Sequence, residues 1–225
     1  MININGKTRD LKSSEIIFYM IFSVLLNSFA NGLTIASNLG SAVWTASGVN
    51  LSEVIPVKLG TILFVYGLVI QAMNVMIRGR FDWHIVLSNL IFAFSFSYLV
   101  QFWTWVLTTV GVPQLDFFWR LVLDVIGVTF IAFAVSIYQR VDVMLHPNDE
   151  FTYLIRFKYL HGNAAVSQYA SYVIPIIIII ICFFIKHRLY SIGIGTFLAL
   201  FFQGPVIGWA DEHVFTHLKH KVQVN

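Results

Sequence analysis

The sequence predicts an all-α integral membrane protein of six transmembrane helices, arranged as two inverted three-helix repeats. A short interfacial helix is expected after the first and the fourth helix. Three observations carry this reading. The 225 residues are 58% apolar and only 11% charged, whereas soluble domains carry about 25% charged residues. A soluble fold this apolar would expose large hydrophobic patches and aggregate. Six apolar runs each approach the roughly 20 residues a helix needs to cross the hydrocarbon core. The second half then repeats the order of features in the first.

The first run is Ile16 to Leu39, preceded by a polar N-terminal tail, 1–14. It is too long for a signal-peptide core and ends in no clean small-x-small cleavage site, so it is expected to be retained. The others are Leu59 to Ile77, Ile85 to Val106, Phe117 to Tyr138, about Val166 to Ile185, and Leu189 to Trp209. Between the first two, Leu51-Ser52-Glu53 suggests a short helix start with Ser52 as cap. Between the fourth and fifth lies the most charged connection, Gln139 to Ala165, whose aromatics alternate with charges as in a helix at the membrane interface. No linker or low-complexity tract divides the chain, so 1–225 reads as one polytopic domain.

Orientation follows the basic residues near the helix ends. With the N-terminus inside, the inner face collects Lys7, Arg9, Lys12, Arg78, Arg80, Arg140, Arg156, Lys158, Lys219 and Lys221. The outer face collects Lys58, Arg120, Lys186 and Arg188. Ten against four places both termini, including the C-terminal tail 211–225, in the cytoplasm.

Repeat 1 covers about 16–106 and repeat 2 about 117–209. In each, a long helix ends in a polar corner, a short amphipathic piece follows, and two helices joined by a basic connector close the unit. The corners are Gly40 to Thr45 and Met144 to Asp149; the connectors are Arg78-Gly79-Arg80 and Lys186-His187-Arg188. Three crossings per repeat is odd, so the second must be inverted. Inverted repeats are a transporter architecture, with sites near the midplane where helices are interrupted; an old duplication kept for packing is the other reading.

The corners and the last helix carry a resemblance. Asn38-Leu39-Gly40-Ser41-Ala42-Val43-Trp44-Thr45, His146-Pro147-Asn148-Asp149, Gly193-Ile194-Gly195-Thr196 and Gly204-Pro205 resemble motifs of the YczE/YyaS/YitT family of bacterial membrane proteins. Val43 stands where that family's first corner has proline and Thr45 where it has an acid. The second corner lacks the glycine. The resemblance implies a bacterial cytoplasmic-membrane location and a fold, but no substrate.

Polar side chains inside a span usually face the bundle, since a central charge costs about 3 kcal/mol on insertion scales. Asn27, Asn31, Thr34 and Asn38 are spaced four, three and four, one stripe of the first helix. They are read either as a polar lining for a solute or as interhelical hydrogen bonding, worth about 0.6 kcal/mol per contact. Asp124 is the carboxylate well inside a span; Arg120, four residues earlier, is its candidate partner. A site is therefore expected between the corners, from Asn27, Asn31, Asn38, Gly40, Trp44, Asp124, Pro147 and Asp149. Asn38 and the Gly40 backbone should face an internal cavity, closed by Trp44 at one end and by Pro147 and Asp149 at the other.

His213, His217 and His220 could share a helical face at zinc-binding spacing. With no fixed fourth ligand the segment reads better as an amphipathic tail, and no metal or cofactor is expected. Pro175 should kink the fifth helix. Phosphate loops, nucleophile elbows and dinucleotide fingerprints are missing, so no enzymatic activity is expected. The expected partners are the bilayer and a small solute, with a homo-oligomer or membrane partner possible and no nucleic acid. The alternative function is a non-transporting accessory protein, or the substrate-binding subunit of a larger importer.

Overall fold

The computed structural model describes residues 2–4 and 7–220; Lys221 and the rest of the tail lie outside the described residues. The helices are α1 (Ser13–Ser37), α2 (Val43–Val54), α3 (Leu59–Arg78), α4 (Trp83–Thr109), α5 (Phe117–Val141), α6 (Pro147–Lys158), α7 (Ala164–Ser171), α8 (Val173–Lys186) and α9 (Ile194–His213). Among the described residues, five segments are long and apolar enough to cross a membrane: α1, α3, α4, α5 and the continuous stretch Ala164–Lys186. Helix α9 is not in that set; Gln203, Pro205 and Asp211 dilute its apolar character. Large apolar side chains such as Phe18, Ile21, Phe94, Phe102, Ile181 and Phe201 point outward, as a surface facing lipid requires.

Helix α1 packs along α5, and the two run antiparallel. Asn27 meets Tyr138 while Ser37 meets Asp124, so one chain advances as the other retreats. Gly127 allows the approach: a Cβ there would sit 2.6 Å from Thr34 Cγ2. The remaining pairings fall into matched sets. Helix α1 packs on α4 as α5 packs on α9, and α2 packs on α8 as α6 packs on α3.

The caps repeat as well. Helices α1 and α5 end on left-handed residues, Asn38 (φ 53°) and Asp142 (φ 52°); α3 and α8 end on Gly79 (φ 73°) and His187 (φ 52°). A left-handed residue after the last turn is the common way to end a helix, with Gly or Asn preferred.

Two local expectations change. Helix α2 starts at Val43, not Ser52; Ser52 lies in its last turn and donates to the Val49 carbonyl. Leu39 and Ser41 do not leave free carbonyls and amides at the corner. The Leu39 carbonyl accepts from Gly195 N–H at 3.0 Å and Ser41 N–H donates to the Ser191 carbonyl at 3.1 Å. The first corner is therefore stitched to the start of α9. The polar N-terminal tail forms a two-stranded hairpin, β1 (Ile2–Ile4) with β2 (Lys7–Arg9), and Ile2 bridges to Leu218.

The fifth helix is interrupted at one residue, Tyr172, whose backbone stays right-handed helical, as a kink set by Pro175 requires. Helix α7 ends at Ser171 and α8 starts at Val173. Pro175 has no N–H to offer the Ser171 carbonyl, which loosens the helix one turn earlier. Tyr172, at the kink, turns its hydroxyl inward and donates to Gln203 at 2.9 Å.

The tail beyond α9 is held by Arg140, buried among α5, α9 and the tail. Its guanidinium donates to the carbonyls of Asp211, Phe215 and Leu218. Asp211 also accepts from Ser136, Arg156 and His220. This fold-back ends the helix at His213, so the three histidines do not share a face. His213 stacks on Trp209, His217 bonds Tyr19, and His220 bonds Asp211.

Candidate functional site

The polar stripe of α1 meets both corners. From the first corner, Thr45 Oγ1 donates to Asn31 Oδ1 at 2.6 Å. Asn31 Nδ2 donates to Asn27 Oδ1 at 2.9 Å and to the Asn27 carbonyl at 3.0 Å. Asn27 Nδ2 donates to the Tyr138 hydroxyl at 3.1 Å, and Tyr138 donates to Asp149 Oδ2 at 2.5 Å. Every donor in the chain thus points toward the Asp149 carboxylate at the second corner. Thr45 and Asp149 are each the third residue of their short helix, so the chain joins equivalent positions of the two halves.

Beside this chain lies a cavity of about 40 Å³. At roughly 10–15 Å³ per water this holds about three waters. Its walls include Asn27, Asn31, Trp44, Thr45, Asn148 and Asp149, with His146, Gln168, Tyr172 and Gln203 closing it from the α6 and α7–α9 side. Several polar atoms in these walls have no partner among the described residues: Trp44 Nε1, His146 Nε2, Asn148 Oδ1 and Gln168 Oε1. An unpaired buried polar group costs about 1–3 kcal/mol, and four such atoms belong to residues that line this one small space.

Burial pushes the Asp149 carboxyl up to about 6, against the opposing donation from Tyr138. Burial holds His146 down at about 3, so its ring is neutral. Its Nδ1 accepts from Asn148 N–H at 3.3 Å, which leaves the proton on the unpartnered Nε2.

The residues singled out in the sequence divide. Asn27, Asn31, Trp44 and Asp149 come together around the cavity. Asn38 does not: it is exposed, because it is the left-handed residue that ends α1. Gly40, at φ +124°, packs against α9 instead; a Cβ would sit 2.6 Å from Thr196 N. Pro147 opens α6, and its carbonyl accepts from Asn74 at 2.8 Å.

Asp124 is fully buried away from the cavity, against Gly195 at the start of α9. It accepts from Ser37 Oγ at 2.9 Å. Arg120 donates instead to the Ser37 carbonyl at 3.3 Å, and among the described residues no ion pair joins it to Asp124. No group of three or more His, Cys, Asp or Glu side chains among the described residues could hold a metal ion.

Several contributors escaped the sequence reading, Tyr138, Gln168 and Tyr172 among them. Tyr138 was taken as the end of a span, where a tyrosine ordinarily marks the membrane interface. Gln168 lay at the start of an apolar run. Tyr138 sits 11 residues before Asp149, too far for a local pattern to join them.

A family model described as a family of unknown function, DUF6198, matches residues 14–212. It is distinct from the YczE/YyaS/YitT family that the corner motifs resembled, and that resemblance is thereby corrected. Short Gly and Pro signals at helix breaks recur wherever a bundle needs interrupted helices, which is why they misdirect. No curated protein matches, and no solved structure matches.

Proposed function

This chain belongs to the DUF6198 family, and we propose that it binds a small polar solute between its two halves and carries it across the membrane. The observation that carries the reading is the hydrogen-bonded chain from Thr45 to Asp149 beside a small cavity whose lining residues carry unpaired donors and acceptors. The chain passes through the middle of α1, where Asn27 and Asn31 lie, so the cavity sits at membrane depth. Interrupted helices meeting at the midplane are where secondary transporters hold their cargo.

In this reading α9 is the sixth crossing, standing to α5 as α4 stands to α1. The equivalent helices α1 and α5 run antiparallel, which supports two inverted repeats of about 16–106 and 117–209. Both termini face the cytoplasm, on the basic bias of the loops. Both short helices are anchored to the rest of the bundle: α2 in its second half by Asn50, which exchanges two hydrogen bonds with Tyr190, and α6 in its first turn by Glu150, which accepts from Asn74 and Asn89 and pairs with Arg78.

A thermal-shift screen of small metabolites on purified protein tests this. Hits should stabilise the parent and fail to stabilise Asn31→Leu, a change that suits a span but breaks the chain. If no solute acts through Asn31, the accessory-protein reading takes its place.

A further inference from the structure

We infer that the solute is a small zwitterion, its amino group held at the α6 end of the cavity and its carboxylate at the α2 end. This deepens the proposed function and rests on it. The two ends, equivalent by position, differ in chemistry. At the α6 end three oxygens gather, the Asp149 carboxylate, Asn148 Oδ1 and Gln168 Oε1, beside one unpartnered donor, the His146 Nε2–H. Asn148 is 6% exposed and Gln168 2%, and both oxygens are unpartnered. Only a ligand rich in donors satisfies three oxygens in so small a space.

At the α2 end the groups are donors. The Trp44 indole N–H has no partner. Helix α2 has no side-chain cap, and its first helical bond runs from Ala46 N–H to the Ala42 carbonyl. Among the described residues, the backbone N–H groups of Val43, Trp44 and Thr45 meet no acceptor. A helix start with free N–H groups favours an anionic group. Helix α6 does not compete for that group, since His146 already takes up its first amides through Nδ1 and its carbonyl. Its own field falls on Asp149.

Charge balance agrees. Asp149 is the one formally charged side chain in the wall, and the titratable groups that face it are Tyr138, Tyr172 and His146. No Lys or Arg from the described residues lines the cavity. An ammonium group neutralises Asp149, and the ligand's carboxylate is met by the N–H groups at the α2 end. Space for about three waters limits the ligand to roughly the size of glycine.

Titration of purified protein in detergent micelles with glycine, methylammonium, acetate and acetamide tests the assignment. Glycine should bind at least tenfold more tightly than either charged half. Asp149→Asn should lower the affinity for glycine and methylammonium at least tenfold and leave acetate unchanged. Trp44→Phe should weaken glycine and acetate and leave methylammonium unchanged. Size exclusion and melting temperature establish that each variant is folded, and Gln168→Leu gives an independent test of the amino end. If Asp149→Asn and Gln168→Leu both bind glycine as the parent does, or if acetamide binds as tightly as glycine, the zwitterion is overturned while a neutral solute remains. If none of the four probes binds, the zwitterion is likewise overturned, and the metabolite screen with Asn31→Leu decides separately whether the cavity binds any solute.

Discussion

Tyr138→Phe removes one oxygen from the centre of the chain that joins the two halves. The hydroxyl accepts from Asn27 at 3.1 Å and donates to Asp149 at 2.5 Å. Phenylalanine keeps the ring and its edge-on packing against Phe92, so the loss is confined to hydrogen bonds. It leaves an amide N–H of Asn27 and Oδ2 of Asp149 unpaired, at about 1–3 kcal/mol each. Asp149 borders the cavity, where water can replace the phenol, so the total is about 2–4 kcal/mol. At about 2–4 °C per kcal/mol for a chain of this length, the melting temperature should fall by roughly 4–16 °C. Asn27→Leu combined with Tyr138→Phe removes both partners of one bond, and Asn31 keeps the Asn27 carbonyl as acceptor. The double variant should therefore melt above the sum of the single losses, since removing both members of a pair costs less than orphaning one. Differential scanning fluorimetry in one detergent measures all four proteins. A Tyr138→Phe melting temperature within about 2 °C of the parent, or strict additivity in the cycle, would refute the chain as a structural link.

Other perturbations give separate outcomes. Burial raises the Asp149 carboxyl to about 6, above the ordinary value of about 3.9; the folded state therefore keeps this proton longer, and its contribution to stability falls as pH rises from about 4 to about 6. Melting temperatures over that range should show the fall in the parent and a flatter profile in Asp149→Asn; an equal slope in both would assign it elsewhere. Gly195→Ala places a Cβ into the Asp124 carboxylate and should cost about 1–3 kcal/mol, seen as lower yield and earlier melting; a parent-like protein would mean that the α5–α9 contact is loose. Arg140→Met should free the tail that the guanidinium holds, so limited proteolysis should clip near Leu218 while the spans stay intact; unchanged protection would contradict the clamp. Reporter fusions after Arg80 should read cytoplasm and after Arg188 outside; the reverse at Arg188 would end the six-crossing arrangement.

The membrane class and most helix positions could be read from the sequence because twenty-residue apolar runs have one physical use. The stripe of Asn27 and Asn31 was legible from helical spacing, and Thr45 was matched to Asp149 by the repeat. Asn38 shared that spacing but misled, because periodicity assumes the helix continues and here it ends. Arg120 and Asp124 were matched by their i,i+4 spacing, yet Ser37 from α1 separates them, a contact no local rule contains. Tyr138 was missed for the same reason: its partners come from three elements. The extent of α2 was hidden because Gly48 and several small residues blur its apolar face; Gly48 is there so that Leu63 of α3 can pack against it.

Alternating access to Thr45 is the most direct test of a solute path between the halves. The native Cys182 is replaced by alanine and Thr45 by cysteine, and the protein is placed in sealed membrane vesicles of each orientation. A membrane-impermeant, positively charged methanethiosulfonate reagent is then added from outside the vesicle, and labelling is read by mass shift. The account predicts labelling at position 45 in both vesicle orientations, because the cavity opens to each face in turn. Labelling in neither orientation, or in one alone, would contradict it.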